Sequence, residues 1–285
     1  MRVTLITIML IAASAPIPPA LVQPTPPPTI TNSIGMELVL IQPGTLLVGR
    51  FEPTCPSPSD RGGADQDPRA RWTPADTARC EDIVQRERRR GFSVTLPHLY
   101  YIGKYEVTQG EWTAVMGSNP SVFQGSRVVG DATRHPVDSV TWDDAQRFVR
   151  RLNQREKTTA YRLPTEFEWE YAARAGASDD PTWDEIRELA WEQDVTTATT
   201  HPVGLKKPNR WGLYDVLGDV WEWVNDYYNE KLFADPEPPR RGTTHVLKGG
   251  GFLSDVKNTT WSTHAAGPGD GFDVGFRIVR DLPAR

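Results

Sequence analysis

Residues 161–174 read YRLPTEFEWEYAAR, and residues 212–223 read GLYDVLGDVWEW. In the first segment Thr165 precedes Glu168 by three residues, which is the spacing of a capping box at the start of a helix. Apolar residues follow at helical spacing, and Gly176 is placed to end the helix. The segment therefore predicts one short helix with a buried aromatic face.

The same helix-start pattern occurs twice upstream. Thr108 lies three residues before Glu111, and Thr141 lies three residues before Asp144. Apolar residues follow both pairs at helical spacing, and Gly117 is placed to end the first helix. Because capping gives these acids a structural role, they are not candidates for catalysis.

Strands are predicted from short apolar runs at residues 38–41, 92–96 and 246–248, with another early strand ending near Gly49. Long connections separate them. The ten tryptophans, many of them beside Gly, Asn or Asp, indicate a loop-rich domain held by aromatic packing. A chain of 285 residues with 38% hydrophobic content can bury one substantial core, so we expect a single α+β domain.

The formal net charge of −5 argues against a nucleic-acid surface, because such domains carry basic residues that replace phosphate counterions. The one dense basic run, at residues 86–90, is interpreted as a solvated surface. No nucleic-acid partner is expected.

The first 20 residues are typical of an export signal. Arg2 supplies a positive end, residues 3–13 are apolar, and residues 13–15 form a small-x-small cleavage pattern. Prolines end the apolar run before the roughly 20 residues that a bilayer span needs, so no membrane span is expected in the mature chain; an uncleaved anchor is the alternative. Residues 21–32 are predicted to be a Pro-rich linker, and the mature protein to be periplasmic or secreted.

Two cysteines occur, Cys55 and Cys80, both in a polar stretch between predicted strands. In an oxidising compartment an even pair favours a disulfide, worth roughly 3 kcal/mol through its effect on the unfolded chain. A catalytic or metal-binding role is the alternative, but no histidine lies nearby and the spacing matches no common zinc pattern.

Seven segments in shared order resemble the formylglycine-generating (sulfatase-modifying factor) enzyme family. They lie at residues 35–45, 101–108, 135–145, 161–174, 212–223, 246–254 and 274–277. The resemblance implies one domain over residues 33–282, with an inserted loop at residues 51–91. It also implies the formylglycine-generating enzyme fold, which is related to C-type lectin-like domains.

The family resemblance implies copper chemistry that this chain lacks the ligands to perform. Family enzymes oxidise a cysteine of an unfolded sulfatase peptide, using oxygen and a copper(I) ion held by two cysteines five residues apart. Ser254 and Thr259 stand at those positions. Hydroxyls bind soft copper(I) weakly, so copper is not expected. The residues that could still line a pocket flank them, namely Trp221, Asp255, Trp261, Ser262 and His264. His264 could act as a base, with a loop hydrogen bond as the alternative role.

The resemblance further implies a structural calcium site in residues 215–222. Carried over by position, its ligands are the side chains of Asp215 and Glu222 and the carbonyls of Gly218 and Val220. Oxygen donors of this kind suit Ca²⁺. The alternative is a turn whose carboxylates meet backbone N–H groups and arginines such as Arg277.

Two functional hypotheses follow. In the first, the domain has lost the oxidase centre and binds a peptide, a glycan or a partner protein. In the second, it is an oxidoreductase with altered chemistry, similar to the periplasmic family members that mature pyoverdine siderophores without the cysteine pair. Fold analogy alone does not decide between them.

Overall fold

A five-stranded antiparallel sheet joins the two ends of the domain. The computed structural model describes residues 27–51, 55, 73–193, 198–232, 239–267 and 271–282. The strands of this sheet are, in spatial order, β1 (Thr29–Thr31), β2 (Glu37–Ile41), β5 (Tyr100–Gly103), β11 (Val279–Asp281) and β6 (Tyr161–Arg162). The last strand of the chain, β11, therefore lies between β5 and β6 and closes the domain.

A second sheet has four strands, all from the C-terminal half of the chain. In spatial order they are β10 (Val274–Gly275), β7 (Trp221–Tyr227), β8 (His245–Lys248) and β9 (Ala265–Ala266), with β10 parallel to β7 and the other pairs antiparallel. A separate hairpin pairs β3 (Gly44–Val48) with β4 (Phe92–Leu96). The predicted strands are therefore present, the one at residues 92–96 with the predicted bounds.

Five α-helices are described, and each begins with a threonine capping box. They are α1 (Pro74–Glu87), α2 (Gln109–Met116), α3 (Trp142–Glu156), α4 (Glu166–Arg174) and α5 (Trp183–Leu189). In α2, α3 and α4 the threonines and acids are those predicted. Gly117 ends α2 with a left-handed φ of 84°, and α4 ends two residues before Gly176, with its C-cap Ala175 also in the left-handed region.

The core forms where helical faces pack on the two sheets. Helix α3 buries Ala145, Phe148, Val149 and Leu152, the residues at helical spacing. Phe148 stacks on Trp112 of α2 with ring centroids 5.5 Å apart. Trp169 of α4 lies in a second buried cluster with residues of β2 and β5. Aromatic packing between short elements thus replaces long regular structure, as the composition predicts.

Two predicted boundaries need correction. Residues 29–31 were expected to belong to the Pro-rich linker, but they form β1, because their backbone pairs with β2 from Thr29↔Val39 to Thr31↔Glu37. The insertion at residues 51–91 is not all loop, since it contains α1. Cys55 and Cys80 are joined by the predicted disulfide, with Cα atoms 6.0 Å apart. Residues 1–20 lie outside the described residues.

In the described part of the chain, no helix has both the length and the apolar character that a bilayer span requires.

Candidate functional site

The loop after β8 carries the two positions where the family's cysteines would stand. Gly249 and Gly250 have φ values of 89° and 83°, which residues with a side chain rarely adopt. A Cβ at Gly250 would lie 3.0 Å from Thr259 Oγ1 and 3.1 Å from the Asn258 carbonyl oxygen. Glycine is therefore required at position 250, because residues 258–259 approach its backbone too closely for a side chain.

Ser254 closes a tight turn within this loop. Its Oγ accepts a hydrogen bond from the Gly251 N–H at 2.9 Å, and its own N–H donates to the Gly251 carbonyl at 2.8 Å. The residue is only 9% exposed. The hydroxyl thus satisfies a backbone donor and holds the turn.

Thr259 is fully buried, and its hydroxyl is likewise engaged within the loop. Thr259 Oγ1 donates to the Asp255 carbonyl at 3.0 Å. The Asp255 carboxylate accepts from the Asn258 N–H at 3.0 Å and so caps the 3-10 turn Val256–Asn258. Within the described residues neither hydroxyl forms a hydrogen bond with a histidine or a carboxylate side chain, so neither is bonded to a base that would activate it.

His264 is held in a buried network on the other side of β8. Its Nδ1 lies 2.6 Å from Glu166 Oε1, its Nε2 lies 2.9 Å from the Asn229 carbonyl oxygen, and its ring stacks on Tyr228 at 4.6 Å. The ammonium of Lys248, fully buried, lies 3.6 Å from Glu166. Burial alone would raise the pKa of Glu166, but the hydrogen bond from His264 and the charge of Lys248 outweigh it and lower that pKa. Both ring nitrogens of His264 are therefore engaged in hydrogen bonds.

The two tryptophans predicted for the pocket have different surroundings. Trp221 begins β7 and packs on the glycine run, with its Cδ1 3.0 Å from where a Cβ of Gly251 would be. Trp261 is buried in the core cluster that contains α4. Next to it, the Ser262 N–H donates to Asp180 Oδ1 at 3.1 Å. The structure thus places Trp221 against the loop that holds Ser254 and Thr259, whereas Trp261 packs in the α4 core cluster and His264 hydrogen-bonds to Glu166.

An apolar surface patch adjoins the glycine loop, and no sequence pattern predicts it. Phe252 is fully buried, and its ring centroid lies 5.1 Å from that of Phe123 and 6.4 Å from that of Phe272. Phe272 is nevertheless 48% exposed. Leu253, next to Phe252, is 40% exposed, and Val122, next to the half-buried Phe123, is 37% exposed. We call Val122, Phe123, Leu253 and Phe272 the loop-face patch.

Glu222, a predicted calcium ligand, has both carboxylate oxygens engaged. Arg277 donates to Oε1 at 2.6 Å and to Oε2 at 2.7 Å, and the Trp169 indole N–H donates to Oε2 at 2.6 Å. This is the arrangement of the alternative interpretation, in which an arginine neutralises the carboxylate. Glu222 therefore fits a metal only if one of these donors gives way.

Three other buried acids next to Glu222 do carry unused oxygens. Glu106 Oε2, Asp215 Oδ1 and Asp219 Oδ2 have no hydrogen-bond partner among the described residues. Burial raises the pKa of Asp215 to about 6. Burial and the neighbouring carboxylates raise the pKa values of Glu106 and Asp219 well above the ordinary range. No group of three or more His, Cys, Asp or Glu side chains in the described ranges has metal-holding geometry. The residues fit calcium in part, and calcium binding stays a prediction.

Comparison with known sequences identifies relatives along nearly the whole domain. The family model described as the sulfatase-modifying factor enzyme 1-like domain matches residues 35–282. "Chaperone protein LppX" of Paenibacillus barcinonensis is 33% identical over 241 residues, covering 64% of this chain and 80% of that protein. The formylglycine-generating enzyme of Streptomyces coelicolor is 37% identical over 171 residues, covering 50% of each chain. The chain thus spans about half the length of that enzyme.

Solved structures show the same fold. Treponema denticola variable protein 1 is 25% identical with a TM-score of 0.69, and the match covers 90% of this chain and 99% of that one. PvdO from Pseudomonas aeruginosa is 22% identical with a TM-score of 0.65, covering 91% and 100%, and this likeness concerns the fold alone. With residues 35–282 matched by the family model and this architecture, the chain belongs to the sulfatase-modifying factor enzyme 1-like (formylglycine-generating enzyme) domain family.

Proposed function

We propose that this domain binds an extended segment of a partner protein and does not oxidise cysteine. The observation that carries the proposal is that the hydroxyls of Ser254 and Thr259 are not free to act on a substrate or to bind copper. Both hydroxyls are engaged in hydrogen bonds inside their own loop, at 2.9 Å and 3.0 Å. Copper(I) requires thiolate or thioether ligands, so these two positions offer it no site.

The loop-face patch supports a polypeptide as the ligand. Exposed apolar side chains beside this hydrogen-bonded loop favour a partner that buries apolar side chains. The relative named as a chaperone matches this chain over most of its own length, and that name describes a protein that acts on other proteins.

Export is part of the proposal. The Cys55–Cys80 disulfide supports it, because disulfides persist in oxidising compartments outside the cytoplasm. The signal predicted at residues 1–20 would bring the chain there.

The experiment measures binding of reduced, unfolded α-lactalbumin to the mature protein by fluorescence anisotropy. Phe272→Ser and Leu253→Ser each remove an exposed apolar side chain, so we expect affinity to fall roughly tenfold per substitution. The control is Trp183→Ser on α5, which removes a 60% exposed apolar side chain that is not part of the loop-face patch. The proposal is wrong if the unmodified protein does not bind, or if the control weakens binding as much as the patch variants do.

A second experiment measures oxygen uptake with an oxygen electrode, in the presence of a cysteine-containing sulfatase peptide and copper(I). We expect no uptake by the unmodified protein. Ser254→Cys combined with Thr259→Cys tests whether thiolates alone restore copper binding at the loop. Oxygen uptake by the unmodified protein would overturn the proposal and support an oxidoreductase with altered chemistry.

A further inference from the structure

A cleft opens beside the C-terminal part of β7. Its volume is about 400 Å³, and Trp142, Tyr227 and His245 line it. Trp223 and Tyr227 of β7 line the cleft, whereas neither Trp221 nor any residue of the glycine loop at 249–259 is among its described lining residues. The cleft is therefore distinct from the loop that replaces the family's cysteine site.

Aromatic rings form one wall of the cleft. The His245 ring stacks on Trp142 with centroids 3.7 Å apart and planes 5° apart, and on Tyr227 at 4.3 Å and 28°. His245 thus lies between Trp142 and Tyr227 in a column of three stacked rings. The Trp142 indole N–H donates to the Val224 carbonyl at 3.0 Å, which fixes this ring at one end of the column. The rings are thus a rigid, pre-formed surface, and a ligand that packs there does not have to order it.

Hydrogen-bonding groups surround this aromatic wall. The carboxylate of Asp143 and the hydroxyls of Thr243 and Thr244 line the cleft. None of the three side chains has a protein hydrogen bond among the described residues.

The imidazole of His245 adds an acceptor to these groups. Its Nδ1 lies 3.2 Å from the carbonyl oxygens of Asn225 and Asp226, so this nitrogen carries the proton. Burial lowers the pKa of His245, which keeps the ring neutral and leaves Nε2 as an acceptor.

We propose that this cleft binds a neutral sugar. The apolar C–H face of a pyranose ring packs on aromatic surface, while its hydroxyls find acceptors and donors at Asp143, Thr243, Thr244 and His245 Nε2. Among the described residues that line the cleft there is no lysine or arginine, whereas a phosphate, sulfate or carboxylate ligand calls for one.

A cationic ligand is the competing choice and fits less well. Aromatic cages for ammonium groups surround the charge with ring faces. Here the faces of His245 are covered by Trp142 and Tyr227, and the three rings form a column. Several free hydrogen-bonding groups along one wall match a polyol better than a single charge.

The experiment is an NMR titration of the mature protein with the methyl glycosides of glucose, galactose, mannose and N-acetylglucosamine. We expect saturable binding of at least one, with a Kd of about 1–10 mM for a single sugar unit. Thr243→Arg places a bulky cation at an exposed position of the cleft and should weaken binding at least tenfold, and Asp143→Ala should weaken it about fivefold. Both positions are exposed, so the variants should fold.

Trp183→Ala is the matched control, because it removes an exposed aromatic ring from α5, and it should leave binding unchanged. Lack of saturation by all four glycosides up to about 20 mM, stronger binding of glucuronate or tetramethylammonium, or insensitivity to Thr243→Arg would each overturn the proposal. Binding of unfolded α-lactalbumin should be unaffected by Thr243→Arg, so failure here is distinguishable from failure of the polypeptide proposal.

Discussion

Arg277 is the residue that allows a cluster of acids to be buried. It is fully buried and donates to both oxygens of Glu222, and also to the carbonyls of Gly103, Tyr214 and Asp215 at 3.1–3.2 Å. A buried carboxylate without such a partner would carry a large desolvation cost. The guanidinium therefore links β5, the loop before β7 and β7 itself.

Individual roles were predictable from sequence only where the partner is close along the chain. The capping acids three residues from their threonines were identified correctly. Glu222 and Arg277 are 55 residues apart, and His264 and Glu166 are 98 residues apart. Spacing alone therefore did not distinguish a metal ligand from an arginine partner at Glu222, or a base from a structural histidine at His264.

Asp226 gives a pH-dependent prediction at the residue scale. Its carboxylate accepts from the Glu166 N–H at 2.7 Å. Burial, followed by the negative charge of Glu166, raises its pKa from 3.8 to about 6. Because the folded state favours protonated Asp226, its contribution to the free energy of unfolding is fully present below pH 3.8. That contribution is lost as the pH rises through about 6.

Asp226→Asn keeps an acceptor for that N–H and removes the charge. We expect the variant to be more stable than the unmodified protein by about 1–2 kcal/mol at pH 8 and equal to it near pH 4. Urea unfolding across this pH range measures the difference. Asp184→Asn, at a 97% exposed side chain, should change stability by less than about 0.5 kcal/mol. A stability difference that does not vary with pH would contradict the assigned pKa.

At the scale of elements, a capping box predicts a helix reliably when a buried face follows it. The three predicted helices, α2, α3 and α4, all bury tryptophan or phenylalanine. Helices α1 and α5 carry the same signature, Thr73 with Asp76 and Thr182 with Glu185, yet were not predicted. Helix α1 buries no residue and α5 buries only Ile186, so neither leaves an apolar periodicity in the sequence.

The disulfide gives a prediction for α1. Because this helix buries no residue against the domain, the Cys55–Cys80 bond ties it to the chain without stabilising the core. We expect Cys55→Ser with Cys80→Ser to lower the free energy of unfolding of the core by less than about 1 kcal/mol, below the roughly 3 kcal/mol of a globally acting cross-link.

The same double variant should lose α1 locally. Its arginines make the helix a trypsin substrate once it frays, so we expect cleavage within residues 79–90 at least tenfold faster than in the unmodified protein. The measurement is limited proteolysis beside calorimetry. A drop of the main melting transition that matches a loss of about 3 kcal/mol would show that the insertion is part of the cooperative domain.

At the scale of the whole molecule, the acid cluster lies where the two main sheets meet. Glu106 follows β5 of one sheet, Glu222 belongs to β7 of the other, and Glu106 Oε1 accepts from the Val220 N–H at 3.2 Å. Asp215 and Asp219 flank this junction and also carry raised pKa values. If all four acids were ionised, Arg277 would neutralise only one of them, so the junction depends on either protons or a cation.

Calcium and protons should therefore compete to stabilise the fold. The neutral acids stabilise the junction at low pH, and this stability is lost as pH rises through the value of about 6 for Asp215. A bound Ca²⁺ would offset the loss, because a ligand bound to the native state stabilises it by mass action. We expect about 1 mM calcium to raise the Tm at pH 8 by a few degrees over EDTA, and by much less at pH 5.

Two controls make the calcium test specific. Magnesium, which demands rigid octahedral coordination, should not substitute at the same concentration. Asp215→Asn removes one charge and one unused carboxylate oxygen, so it should reduce the calcium effect at pH 8 while raising the Tm in EDTA. Identical melting curves with calcium and with EDTA at pH 8 would show that calcium does not stabilise this domain. The junction of the two sheets would then depend on Arg277 and on protonation of the buried acids.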